Sequence, residues 1–149
     1  MTPLLLAVAL AAPLTFADPS GTKVTLDEPG VVYLVDFWAV ECKGCIEEIP
    51  ELERLSRELV PRGRFRLVSV LWGGDWPGPM LKELAERYGI GRPLHTDPDG
   101  WQERLGKVAF PTKVLVRDGE VLKYPRGGDA GPYGNWKPLV DKALATSGP

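Results

Sequence analysis

The sequence predicts an α/β domain: a central mixed β-sheet flanked by helices, with a β-hairpin ahead of it. Three observations predict this. From Val31 onward, strand-like and helix-like segments alternate, which implies parallel strand pairing. The run Val31–Trp38, VVYLVDFW, is almost continuously apolar and rich in β-branched and aromatic residues, as a strand buried on both faces must be. Near the C-terminus, Arg117-Asp118-Gly119 separates two short apolar runs, a hairpin signal that adds an antiparallel edge.

Length and composition narrow the function classes. A chain of 149 residues is long enough for one domain with an ordinary core. Eighteen basic against twenty acidic residues leave a formal net charge of −2, which argues against nucleic acid or an anionic membrane surface as partner. The two cysteines, Cys42 and Cys45, cannot build a disulfide framework; at C-x-x-C spacing they form a redox or metal motif. A closed structural zinc site needs four Cys or His ligands, and two Cys with the single His95 fall short of that within one subunit.

In chain order, Met1–Ala12 is apolar with no charged side chain and is too short to span a bilayer. It suits a secretory leader, with Ala9-Leu10-Ala11 as an A-x-A cleavage site, so residues 1–12 are expected to be a signal peptide and 13–149 the folded domain. That places the protein outside the cytoplasm, in the periplasm or cell envelope; a retained leader would leave it cytoplasmic. Leu14-Thr15-Phe16 and Val24-Thr25-Leu26, separated by Asp18-Pro19-Ser20-Gly21, form the expected N-terminal hairpin. After Val31–Trp38, the apolar positions Ile46, Ile49, Leu52, Leu55 and Leu59 recur at helical spacing until Pro61-Arg62-Gly63. Phe65–Trp72 is a second buried strand and Met80–Tyr88 a short amphipathic helix. Leu94-His95-Thr96 is a short strand, and Trp101–Leu105 a short helix after the turn Asp97-Pro98-Asp99-Gly100. Val114–Val116 and Glu120–Tyr124 are the closing hairpin strands, and Trp136–Ala145 is the last helix with Asn135 as its N-cap.

The strand–turn–helix unit from Val31 to Pro50 carries the chemistry. Disulfide exchange needs one accessible thiolate to attack and a second thiol to resolve the mixed disulfide. Cys42 and Cys45 are three residues apart at the start of a helix, whose free amides and dipole favour a thiolate at the first position. Lys43 adds to that effect and Glu41 opposes it; both are expected to face solvent. Asp36 interrupts the buried strand, and a carboxylate there needs a partner or a proton.

The segment LVDFWAVECKGC resembles the thioredoxin active-site segment, strand residues included. The wider chain, from about Pro13 to Leu144, is similar to extracytoplasmic thioredoxin-like proteins of the TlpA/ResA type, in its N-terminal hairpin and in DPDGWQERLGKVAFPTKVLVRDGEV. The resemblance implies a thioredoxin-like fold and a thiol–disulfide oxidoreductase that reduces protein disulfides. It implies Cys42 as the nucleophile, Cys45 as the resolving thiol and Asp36 as the buried acid that helps move the proton of Cys45. Pro111 matches the family's cis-proline, and with Phe110, Lys43 and Gly44 it forms the implied substrate-facing rim. The Cys42–Cys45 pair is itself the redox centre, so no cofactor is implied. The implied partners are protein disulfides or thiols, with a membrane thiol donor to re-reduce a monomeric enzyme outside the cytoplasm. The chain departs from the family where Glu41 replaces the Trp before the first cysteine and where Lys43-Gly44 lacks the usual proline. Thr112 also replaces the Glu found after the cis-proline in many cytochrome c maturation reductases.

A competing reading is a thioredoxin-fold copper carrier that binds metal through Cys42, Cys45 and His95. Peroxidase chemistry is a weaker alternative, since Ala39 stands where a threonine would be expected. Trp72, Trp76 and Trp101 are expected to pack in the core or at its rim, and the Glu run of the first helix to be a solvated face.

Overall fold

Strand β4, Val32–Trp38, is buried along its whole length, and the rest of the sheet is laid out around it. In this computed structural model, residues 6–10, 12–107, 109–123 and 131–146 are described. The elements in order are β1 (Leu6–Ala9), β2 (Thr15–Ala17), β3 (Lys23–Thr25), β4, α1 (Lys43–Leu59), β5 (Phe65–Leu71), α2 (Gly78–Arg87), β6 (Leu94–His95), α3 (Trp101–Arg104), β7 (Thr112–Arg117), β8 (Glu120–Lys123) and α4 (Gly131–Thr146). A short 3-10 turn, Val60–Arg62, follows α1.

The sheet order is β1-β8-β7-β4-β5-β6. β4 runs parallel to β5 and antiparallel to β7, and β5 is parallel to β6, so the sheet is mixed as expected. β7 and β8 form the closing hairpin, turned by Asp118 and Gly119 at φ of 50° and 73°, the positive pair that a tight two-residue hairpin turn requires.

The period-two alternation of β4 divides the core into two faces. Val32 and Leu34 pack with Leu52, Leu55 and Leu59 of α1 and with Val140, Ala143 and Leu144 of α4. Farther along the same face, Trp38 and Leu71 pack with Cys45, Ile49 and with Leu81 and Leu84 of α2. Tyr33, Val35 and Phe37 point the other way, onto Leu14, Phe16, Leu26 and Trp101. The second face is therefore covered mainly by the β2–β3 hairpin and α3, where the sequence suggested only that helices flank the sheet. The Phe16 and Phe37 rings meet edge to face at 6.0 Å. Trp101 Nε1 donates to Thr15 Oγ1 at 2.9 Å, which ties α3 to the hairpin. Ala17 also bridges to Thr96, so the hairpin grips the β6 edge of the sheet.

Several element boundaries differ from expectation. Helix α4 starts at Gly131, about a turn before Asn135. Pro138 lies in the middle of that helix, where its missing N–H leaves the Gly134 carbonyl without its usual intrahelical donor. Helix α1 passes through Pro50 as one element. Tyr124, expected at the end of the last strand, lies outside the described residues, as do Met1–Leu5 and Ala11 of the expected leader. Leu6–Ala9 of that same stretch form β1, paired antiparallel with β8.

Candidate active site

Cys42 is the N-cap of α1, and its extended backbone hands the chain from the β4 end into the helix. Its Sγ accepts a hydrogen bond from the Cys45 backbone N–H at 3.1 Å. The sulfur thus takes the place a Ser or Asp oxygen fills at other helix N-termini, against the positive end of the helix dipole. Cys42 and Cys45 are joined as a disulfide, with Cα atoms 5.2 Å apart. The two thiols differ in access. Cys45 is 3% exposed in the core beneath α1, whereas Cys42 is only partly buried. An attacking sulfur must be reachable and a resolving sulfur need only reach its neighbour, so this asymmetry suits Cys42 as nucleophile.

The Phe110–Pro111 peptide bond is cis. Pro111 approaches the motif so closely that a Cβ on Gly44 would lie 3.8 Å from its Cδ. Phe110, Pro111 and Gly44 are therefore gathered on one rim, although Pro111 is distant in sequence. Lys43 is on the same turn but solvated, 3.8 Å from Glu47 in an exposed pair. Glu41 is exposed as well, as expected.

Asp36 lies on the α1 face of β4, the face that also carries Trp38 and Cys45. It is 6% exposed, and its register partner across the antiparallel pair is Lys113 of β7. Lys113 Nζ sits 3.3 Å from Asp36 Oδ1 and 2.5 Å from Glu48 Oε2. Burial pushes the Asp36 carboxyl above its ordinary value, and the nearby Lys113 pulls it back without cancelling the rise. Desolvation prevails because little water reaches the pair. On the other side of β4, Ser69 is the register partner of Asp36, and it accepts from Arg92 Nε at 2.9 Å. Arg92 is in turn paired with Glu53 at 2.7 Å. A band of buried polar groups thus crosses the sheet from α1 through β7, β4 and β5.

Glu48 and Lys113 were not singled out in the sequence. The Glu run of α1 was expected to be a solvated face; Glu47 fits that, but Glu48 turns inward to Lys113. A signal was present: Lys113 is a charge inside an apolar strand, just as Asp36 is, and two buried charges of opposite sign on two strands ask to be paired. Of the three tryptophans, Trp101 is core at 5% exposure, while Trp72 is 57% exposed and rests edge-on against Phe110.

His95 does not join the cysteines. Its Nδ1 faces Pro93 O at 3.3 Å on β6, and among the described residues no group of three His, Cys, Asp or Glu side chains could hold a metal ion. The copper-carrier arrangement of Cys42, Cys45 and His95 is thus not assembled. Among the described residues no helix is long and apolar enough to cross a membrane.

A buried-strand disulfide at a helix N-cap, a cis-proline at its side and a sheet order with β4 between β5 and β7 together define a thioredoxin fold with a dithiol/disulfide centre. The thioredoxin domain of a thiol-disulfide oxidoreductase from Bacteroides vulgatus superposes with a TM-score of 0.70 at 24% identity, covering 95% of this chain and 99% of that one. No protein-family model matches the chain. Among curated proteins, it is similar to the thioredoxin-like protein YneN of Bacillus subtilis, 26% identical over 106 residues that make up 70% of this chain and 61% of that protein. It is also similar to the thiol-disulfide oxidoreductase ResA of Halalkalibacterium halodurans, 27% identical over 114 residues, 74% of this chain and 63% of that protein. The resemblance read from the sequence is borne out, and the chain spans about three-fifths of the length of these curated relatives.

Proposed function

We propose that the protein is a thiol–disulfide oxidoreductase that reduces disulfides in other proteins. The observation that carries the reading is the Cys42–Cys45 disulfide with Cys42 Sγ at the N-cap of α1. In the reduced protein, the Cys42 thiolate attacks one sulfur of a substrate disulfide. A Cys42–substrate bond forms, and the other substrate sulfur leaves as a thiolate and takes up a proton. Cys45 then loses its proton to Asp36 and attacks Cys42 Sγ. The mixed disulfide breaks, the second substrate sulfur leaves as a thiolate that takes up a proton, and the Cys42–Cys45 disulfide is left. Two electrons pass from the pair to the substrate, so no further cofactor is called for. Asp36 suits the proton step because burial raises its affinity for a proton. Pro111, Phe110, Gly44 and Lys43 form the rim against which the substrate backbone lies. A thiol donor re-reduces the pair, at a membrane if the protein is exported.

Site-directed variants test this reading. Cys42→Ser abolishes turnover in a disulfide-reduction assay, and Cys45→Ser accumulates a mixed disulfide with substrate. Full turnover by Cys42→Ser, or no trapped species with Cys45→Ser, overturns the assigned roles.

We place the protein outside the cytoplasm on the leader-like composition of Met1–Ala12. Cleavage after Ala11 would remove β1 from the sheet edge, leaving β8 as the edge strand. The intact mass of the protein recovered from an envelope fraction decides between cleavage there and retention of β1.

A further inference from the structure

Among the described residues four large apolar side chains are exposed: Val8, Val60, Trp72 and Met80. Two of them, Trp72 and Met80, bracket the β5–α2 loop, and both lie close to the chain that leads into Cys42. Met80 shares a concavity of about 350 Å³ with Val40, two residues before Cys42. Trp72 is 57% exposed yet firmly mounted. Its backbone N–H donates to Trp38 O at the end of β4 at 2.8 Å, and its carbonyl accepts from Trp76 Nε1 at 3.2 Å. Its ring meets Phe110 with centroids 6.0 Å apart and planes at 66°. An aromatic side chain left more than half wet forgoes the burial that would stabilise it. One whose backbone is already fixed meets a partner without a further loss of chain freedom.

Disulfide exchange itself says what comes to this surface. Cys42 Sγ must form a bond of about 2 Å to a substrate sulfur, which lays the chain on either side of that sulfur along the rim. The rim runs from Gly44 to Pro111, where a Gly44 Cβ would stand 3.8 Å from the proline Cδ. It continues through the cis bond to Phe110 and ends on the Trp72 ring. An extended chain advances about 3.3 Å per residue, so side chains one or two positions from the linked cysteine reach this far. The residue before Cys42 is Glu41, exposed and charged, and offers no apolar contact of its own beside the nucleophile.

We propose that Trp72 is a specificity-determining residue that receives a large apolar side chain flanking the reacting cysteine of a protein substrate. The proposal rests on the thiol–disulfide reading above and deepens it. The corner between the Trp72 and Phe110 rings takes such a side chain, an aromatic one best, because edge-to-face and offset ring contacts add to the area removed from water. A small polar side chain leaves Trp72 wet, and a carboxylate loses hydration against two rings without gaining a partner. A cation over a ring face is attracted as well, but that attraction is electrostatic and weakens with salt, whereas an apolar contact does not.

The test uses the reduced full chain and symmetric disulfides of short single-cysteine peptides, identical except for Phe, Ser or Lys on both sides of the cysteine. The second-order rate constant for each is divided by its rate with dithiothreitol, which removes intrinsic differences between the disulfides. The expected ratio favours Phe over Ser by about three- to tenfold, the scale of one aromatic contact, and holds at low and high salt. In Trp72→Ala the ratio falls toward one. Trp72→Phe keeps a ring at the position and retains most of it, and Val60→Ser, an exposed apolar residue on the 3-10 turn after α1, leaves it unchanged. A ratio of one in the wild-type protein overturns the proposal, as does a preference for Lys that fades with salt. So does a ratio that survives Trp72→Ala, or one lost as fully in Trp72→Phe or Val60→Ser. Hydroxyethyl disulfide, small and neutral, separates the two levels. If it is reduced while the Phe preference is absent, the role of Trp72 alone fails. If neither it nor any peptide is reduced, the oxidoreductase reading fails and takes the role of Trp72 with it.

Discussion

Asp36 and Lys113 face each other across the β4–β7 pair, with Lys113 Nζ 3.3 Å from Asp36 Oδ1, both side chains under a tenth exposed. The same Nζ reaches Glu48 of α1, so one cation joins the acid in the sheet to an acid in the helix that carries both active-site thiols. Glu48 is about a quarter exposed, which makes it the wetter end of this set.

In the proposed mechanism, replacing Asp36 by Asn removes the proton acceptor and leaves Cys42 untouched. The first, bimolecular step then keeps its rate, and resolution of the mixed disulfide slows by about a hundredfold, the lower end of what a positioned acid or base contributes. Stopped-flow kinetics that separate the two steps check this. An equal slowing of both steps would count against a role confined to Cys45.

Lys113→Met leaves two acids facing an apolar side chain. Breaking one side of a buried pair costs about 3 kcal/mol. The loss is expected to be partly restored in Lys113→Met/Asp36→Asn, because the uncompensated carboxyl is gone. Urea unfolding of both single variants and the double variant closes the cycle; strictly additive losses would show that the two residues are not coupled.

Gly78 begins α2 where it touches the β2–β3 turn. A Cβ there would lie 2.3 Å from Pro19 O, closer than any contact tolerates. Gly78→Ala therefore destabilises by about 1–3 kcal/mol although alanine is the better helix former. Limited proteolysis is expected to cut the Asp18–Thr22 turn faster in the variant, since the hairpin loses its seat beside α2.

Burial lowers the His95 imidazole below its ordinary value, against smaller opposing effects from Pro93 O and Asp18. The folded chain favours the neutral ring, so the unfolded chain takes up the proton first. This contribution to stability is complete above the unfolded value of about 6.5 and is lost as pH falls through the lower, folded value. Denaturant unfolding at a series of pH values is expected to show stability declining through that window, less steeply in His95→Gln.

Much of the fold was legible because it is local. The apolar run of β4, the helical spacing of α1 and the Asp118-Gly119 turn each declare themselves within a few residues, and all three stand where expected. The start of α4 was misplaced because the Pro and Gly between residues 131 and 138 read as loop, while packing of Val140, Ala143 and Leu144 against α1 sustains a longer helix. Leu6–Ala9 shows the same limit: four apolar residues suit a leader or an edge strand equally, and the partner strand β8 lies far away in the chain.

The sequence by itself determined the thiol pair, its place between a buried strand and a helix, and the presence of an acid that could not stand in that strand alone. Spacing and periodicity suffice for those, because they concern neighbours along the chain. The tertiary structure decided what meets the pair from elsewhere. Sheet register sets Lys113 opposite Asp36, the turn of α1 brings Glu48 to the same cation, and the loop before β7 lays Pro111 beside Gly44. Those approaches depend on which strands are adjacent and in what register, and the spacing of residues along one chain does not specify either.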